Sequence, residues 1–89
     1  MKLEFIKSKN GFKSYQANGF KIYYGKRNSM AGGNNINPAE IIYLISGKMK
    51  VVIGDETVKH SAPIKFKIPE KTYHELQSLT KTIFLVFNQ

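Results

Sequence analysis

The chain has no cysteine, which excludes disulfides, thiolate nucleophiles and cysteine-built zinc sites. It has no apolar run near the ~20 residues that span a bilayer. Residues 1–13 carry Lys2 but no apolar core, so they do not read as a secretory signal. These absences predict a cytoplasmic protein with no membrane partner. Acids are also scarce, six against fourteen bases, for a net charge of +8. Arginine is scarcer still. Only Arg27 among the fourteen can make the forked contacts that base readout and phosphate binding favour. The thirteen lysines are scattered, and lysine, isoleucine and asparagine together make up 30 of the 89 residues. All three use AT-rich codons, so genome composition accounts for part of the excess charge. The charge argues for a solvated surface over a nucleic-acid footprint. A polyanion-binding surface would instead show affinity that collapses with salt.

No segment sustains a helical period, and what remains is a pattern of strands. Hydrophobic content of 42% with 22% charged residues reads as globular. Length predicts one domain over residues 1–89. So small a domain has a thin core, and a partner subunit would help to complete it. Residues 3–7 alternate around Phe5. In residues 12–16, Phe12 and Ser14 share one face and Lys13 and Tyr15 the other. Asn10-Gly11 marks a turn, and so does Asn18-Gly19. As a two-residue hairpin loop, Asn18-Gly19 favours a type I′ turn with positive φ at both residues. Residues 20–25, 48–53, 57–60 and 80–87 also read as strands. Ile64, Phe66 and Ile68 face one way, Lys65 and Lys67 the other, as in a half-buried strand. Residues 28–38, with Gly32-Gly33 and Asn34-Asn35, read as a polar loop shaped by glycines. Short strands with frequent turns point to an all-β sandwich or barrel.

The pivotal stretch is residues 40–47, Glu-Ile-Ile-Tyr-Leu-Ile-Ser-Gly. A helix is its rival reading, with Asn37 as N-cap, Pro38 at the first position and Gly47 as the stop. Length and the three isoleucines favour a strand. Side-chain alternation then puts Glu40 on the same face as Ile42 and Leu44.

Residues 40–47 and 69–78 together resemble the two halves of the cupin motif. The first half ends in a glutamate, six residues and a glycine, as do Glu40 and Gly47. The second has a proline, a glycine two later, a histidine three after that and often an asparagine four further on. Pro69, Lys71, His74 and Ser78 stand there, with lysine and serine replacing glycine and asparagine. Residues 47–55 are similar to the family's central hairpin. The resemblance implies a small antiparallel β-barrel of jelly-roll (cupin) type. In metal-binding cupins two histidines, one residue apart, shortly precede the glutamate. With three residues intervening these fall on Asn34 and Ile36; with four, on Gly33 and Asn35. Neither pair holds a histidine. Of the usual three histidines and one glutamate, only Glu40 and His74 remain. The implied cofactor is none, or a divalent transition metal on Glu40 and His74 with help from an asparagine amide.

Each candidate has a plainer reading beside it. Glu40 is a ligand or general base in the barrel mouth, or else a strand-end acid in water. His74 is a metal ligand or an acid/base near neutral pH, or else a hydrogen-bonded imidazole. His60, without motif support, reads as surface. Tyr43 and Tyr73 are packing residues first, although a tyrosine hydroxyl at a mouth can hold a ligand. The predicted ligand-binding set is Asn35, Glu40, Tyr73 and His74, with Glu40 and His74 the candidate catalytic pair. Two functions compete. One is a module that binds a small polar or anionic molecule beside a degenerate metal site. The other is a metal-dependent cupin enzyme, of the sugar isomerase/epimerase or oxygenase type, using Glu40 and His74. The resemblance further implies a homodimer formed by packing or exchanging sheet edges.

Overall fold

The computed structural model describes residues 2–89. In chain order the strands are β1 (Glu4–Lys9), β2 (Phe12–Gln16), β3 (Lys21–Gly25), β4 (Met30–Asn34), β5 (Glu40–Ser46), β6 (Lys48–Ile53), β7 (Glu56–Ser61), β8 (Ile64–Ile68), β9 (His74–Ser78) and β10 (Thr82–Asn88). One sheet has the order β1-β2-β3-β10-β5-β8, the other β4-β9-β6-β7. Every pairing is antiparallel. Among the described residues no strand pairs across the two sheets. The jelly roll is therefore two facing sheets, not a barrel closed by hydrogen bonds. No helix of the described residues is long and apolar enough to cross a membrane.

Alternation builds the core. Phe12, Ile42, Leu44 and Phe84 from the larger sheet meet Met49, Val51 and Leu76 from the smaller one. Burying each such side chain stabilises the fold by about 1.5–3 kcal/mol. The pivotal stretch is a strand, as its isoleucines predict, with Ile42 and Leu44 each 1% exposed.

The turns depart from expectation in one place. Asn10 and Gly11 both take positive φ, 50° and 92°, the signature of a type I′ hairpin. At Asn18-Gly19 only Gly19 does, at 89°, as in a type II turn. Gln16 closes this turn from the side: its Nε2 donates to the carbonyls of both Ala17 and Phe20, at 2.8 and 3.0 Å, while Ala17 N also donates to Phe20 O at 2.8 Å. The loop expected at residues 28–38 is also corrected, because it contains β4. That strand is bound to β9 through backbone pairs, and its glycines give no alternation to read. His60 is not a free surface residue. It is half-buried and stacks on Phe66, with ring centroids 4.8 Å apart.

The two ends of the sandwich differ. At one end Phe12 fills the space beside Gly25, and Ser78 Oγ meets Thr82 Oγ1 at 2.6 Å. At the other end Asn37 clamps the turn that leads into β9. Its Nδ2 donates to Pro69 O (2.8 Å), its carbonyl accepts from Lys71 N (2.9 Å), and its Oδ1 accepts from Thr72 N (3.3 Å). Lys71 adopts φ +50° there, a conformation that costs a non-glycine residue about 1–2 kcal/mol. Lys71→Gly should therefore raise stability by about 0.5–1 kcal/mol, net of glycine's extra unfolded-state freedom, in urea unfolding. A loss of stability would contradict the strained turn.

Candidate functional site

The open end holds a cavity of about 390 Å³. Glu40 opens β5 and His74 opens β9, so both sheets deliver a motif residue to the same mouth. Lys21 and Tyr23 enter from β3, Lys7 from β1 and Asn34 from the end of β4. Apolar side chains, among them Ile68, Leu76 and Phe84, form the wall. A second cavity of about 180 Å³ shares Lys7, Tyr23, Gly32 and Asn34 with the first.

His74 is 7% exposed and tightly placed. Its Nδ1 lies 3.1 Å from the carbonyl oxygen of Thr72. A carbonyl only accepts, so Nδ1 donates this hydrogen bond and Nε2 is the ring nitrogen left for other partners. Among the described residues no buried side-chain nitrogen or oxygen lacks a partner, so Nε2 is open to the cavity's solvent. Gly32 sets the other side of the ring. A Cβ there would lie 2.5 Å from His74 O and 3.0 Å from His74 Cδ2.

Glu40 is half-buried. Burial raises its pKa above the ordinary 4.5, while His74 and Lys21 pull it back in part. Tyr23 stacks on Phe84, with centroids 4.9 Å apart and planes within 4°. Burial, and then the charge of Glu40, raise its pKa above the ordinary 10.0.

Of the predicted residues, Glu40 and His74 are brought together. Asn35 does not line the cavity; Asn34 and Ile36 do. Tyr73 lies outside it as well. It is 41% exposed and its hydroxyl donates to the Glu75 carboxylate, which raises its pKa above 10.0. Ser78 sits at the opposite, closed end. Lys7, Lys21 and Tyr23 are functional candidates missing from the sequence reading. Alternation within residues 20–25 could have placed Lys21 and Tyr23 on one inward face.

No protein-family model and no curated protein matches the sequence. Solved structures do match the fold. An RmlC-like cupin from Shewanella frigidimarina aligns with TM-score 0.78 and 14% identity, over 94% of this chain and 80% of its own. The fold is the cupin fold. A protein of unknown function from Vibrio parahaemolyticus aligns with TM-score 0.76 and 16% identity, over 97% of each chain. Salicylate 1,2-dioxygenase from Pseudaminobacter salicylatoxidans aligns with TM-score 0.72 and 16% identity, over 89% of this chain and 21% of that enzyme.

Within the cupin frame, Asn34 and Ile36 are the two positions that share the mouth with Glu40 and His74. They match the spacing in which three residues separate the histidine pair from the glutamate. Among the described residues no group of three or more His, Cys, Asp or Glu side chains converges. One imidazole, one carboxylate and an amide oxygen are a poor donor set for a transition metal. The residues present do not by themselves fit such an ion.

The raised pKa of Glu40 gives a pH signature. Its ionised form destabilises the folded chain. That cost is absent below pH 4.5 and grows as pH rises through the higher folded value. Glu40→Gln removes the charge. The variant should melt above wild type at neutral pH, and the gap should close in acid. Equal melting at both ends of the range would contradict a desolvated carboxyl.

Proposed function

We propose that the chain is a binding module that holds a small polar or anionic molecule in the mouth, between Glu40 and His74. One observation carries this reading: Lys7, Lys21, His74 and Glu40 meet in one open cavity with an apolar wall. Small-molecule sites have this character, apolar surface with a few convergent polar groups. The lysine heads are donors only and draw an anion; Glu40 accepts from ligand hydroxyls; His74 Nε2 reads a donor. The short metal donor set favours binding over metal-dependent chemistry.

A second reading is an acid/base enzyme of the isomerase or epimerase type. The raised pKa of Glu40 beside His74 favours it. A carboxyl whose pKa is raised by burial in a cavity is suited to passing a proton to or from a carbon acid. The cupin fold does not choose between the two readings, since one fold hosts many functions.

Amide-shift titration with citrate, gluconate and glucose 6-phosphate tests the binding reading. Saturable shifts are expected at residues 21, 34, 40 and 74. Lys21→Ala and His74→Ala should each weaken binding by about tenfold, or ~1.4 kcal/mol. Saturable binding elsewhere, or binding that ignores both variants, would overturn the proposal. Solvent-deuterium exchange into a bound ligand's C–H, lost in Glu40→Gln, would establish the enzyme reading instead.

A further inference from the structure

A bulge inverts the facing of β1. Phe5 pairs with Tyr15, and the two rings meet edge-on at 5.5 Å. Tyr15 in turn meets Tyr24, which is 40% exposed, on the outer face of the sheet. Lys7 pairs with Ser14 and Lys9 with Phe12, and these two partners are buried on the inner face. Unbroken alternation would keep residues 5, 7 and 9 on one side. The register shift between Phe5 and Lys7 inserts one extra residue, Ile6, and turns both lysines inward. The outcome opposes hydrophobic ordering. Phe5 is 57% and Ile6 40% exposed, while two ammonium side chains take the inner side. Bulges that re-aim side chains in this way gather beside functional sites. Inward lysines also guard an edge strand against stray pairing, but that role calls for no cavity.

Here a cavity is present. β1 ends the larger sheet and β4 the smaller one, and both edges line the space of about 180 Å³ beside the mouth. That is several times the ~30 Å³ share of one water. β4 leaves the room because Ala31 and Gly32 form its wall. Ser14 and Asn34 contribute a hydroxyl and an amide. Among the described residues that line this slot none is an acid, and Lys7 and Lys9 are its only formal charges. One end is blind, where Met30 N donates to Asn10 O at 3.0 Å. The other end runs into the mouth, with Lys7, Tyr23, Gly32 and Asn34 common to both. Lys9 lines the slot but not the mouth, and Lys21 lines the mouth but not the slot.

We propose that the molecule held in the mouth is an extended dianion, with one anionic group at Lys21 and a second in the slot at Lys7 and Lys9. The inference rests on the binding reading above and adds the class of ligand: a polar body of sugar size with an acid group at each end. Register sets the span. Lys9, Lys7 and Lys21 stand in successive inward rows, through Phe12, Ser14 and Gln16. Rows are ~6.8 Å apart and β1 lies two strand spacings, ~9.6 Å, from β3, so the backbone of Lys21 is ~12 Å from Lys7 and ~17 Å from Lys9. Extended lysine side chains shorten this gap to the length of a six-carbon chain. Glu40 lies in the mouth, where its carboxylate accepts hydrogen bonds from ligand hydroxyls and repels a further anion. The blind end limits length, so a nucleic acid or other long polyanion does not thread the slot.

Matched ligand pairs test this by calorimetry on the full chain. Glucose 1,6-bisphosphate is compared with glucose 6-phosphate, and glucarate with gluconate, each pair differing by one acid group at the far end. The doubly ended member should bind about tenfold more tightly in at least one pair, ~1.4 kcal/mol. Lys9→Ala should erase that gain and leave the singly ended member at wild-type affinity. Lys59→Ala, on β7 of the other sheet, removes the same charge and should leave the gain intact, which separates a slot contact from the general field of a basic protein. Lys21→Ala should weaken both members of the pair. Singly ended ligands that bind in the mouth with no gain from the second acid would overturn the dianion proposal and leave the binding reading standing. A gain that survives Lys9→Ala, or one that Lys59→Ala also erases, would overturn it as well. Absence of binding by all four would overturn both.

Discussion

A methyl group at position 32 would sit 2.5 Å from the carbonyl oxygen of His74. Glycine there, at φ +87°, lets β4 run close beside the first residue of β9. That close approach is the constraint on which the mouth depends. It presses one side of the imidazole while the Thr72 carbonyl holds Nδ1 from below the strand start. Asn37 ties the same turn back to the chain entering β5. The turn before β9 is thus tied to the chain entering β5 by the backbone and side chain of Asn37, and Glu40 and His74 line one cavity.

The rest of the interior explains why chemistry collects at that end. Between the sheets the core is apolar, with Phe12, Leu44, Met49 and Val51 all buried. The buried hydroxyls of Ser78 and Thr82 satisfy each other, since an unpaired one would cost several kilocalories. Ionisable groups gather at the open mouth, with Lys21, Glu40 and His74 each the first residue of its strand. Even there, burial disfavours the charged forms of Glu40 and Tyr23 and raises both pKa values. The cavity thus sets a half-buried carboxyl and a phenol beside the lysines of β1 and β3.

Much of this was legible in the residues. The β5 strand showed itself by its isoleucines, and Ile64, Phe66 and Ile68 by alternation. Glu40 and His74 were visible through the resemblance to the two cupin motifs, and for Glu40 strand period added the inward face. β4 was not, since Gly32-Gly33 offers no side chains from which a period can be read. The choice between Asn34 and Asn35 turned on a register shift between Gly32 and Asn34, which no local pattern encodes. Lys21 and Tyr23 lay in a strand that was recognised, but their inward face only becomes meaningful once β3 is paired to β10. Lys71 was noted as standing where the family has glycine. Its positive φ supplies the reason that glycine is favoured there.

The central claim is that Asn34, Ile36, Glu40 and His74 converge on one mouth. The Asn34→His, Ile36→His double variant tests it most directly, because it restores the missing imidazoles on the cupin spacing. Nickel binding by calorimetry should show one ion per chain, bound at least about 100-fold more tightly than by wild type and dependent on His74. A folded double variant with wild-type nickel affinity would mean that these four positions do not face a common point.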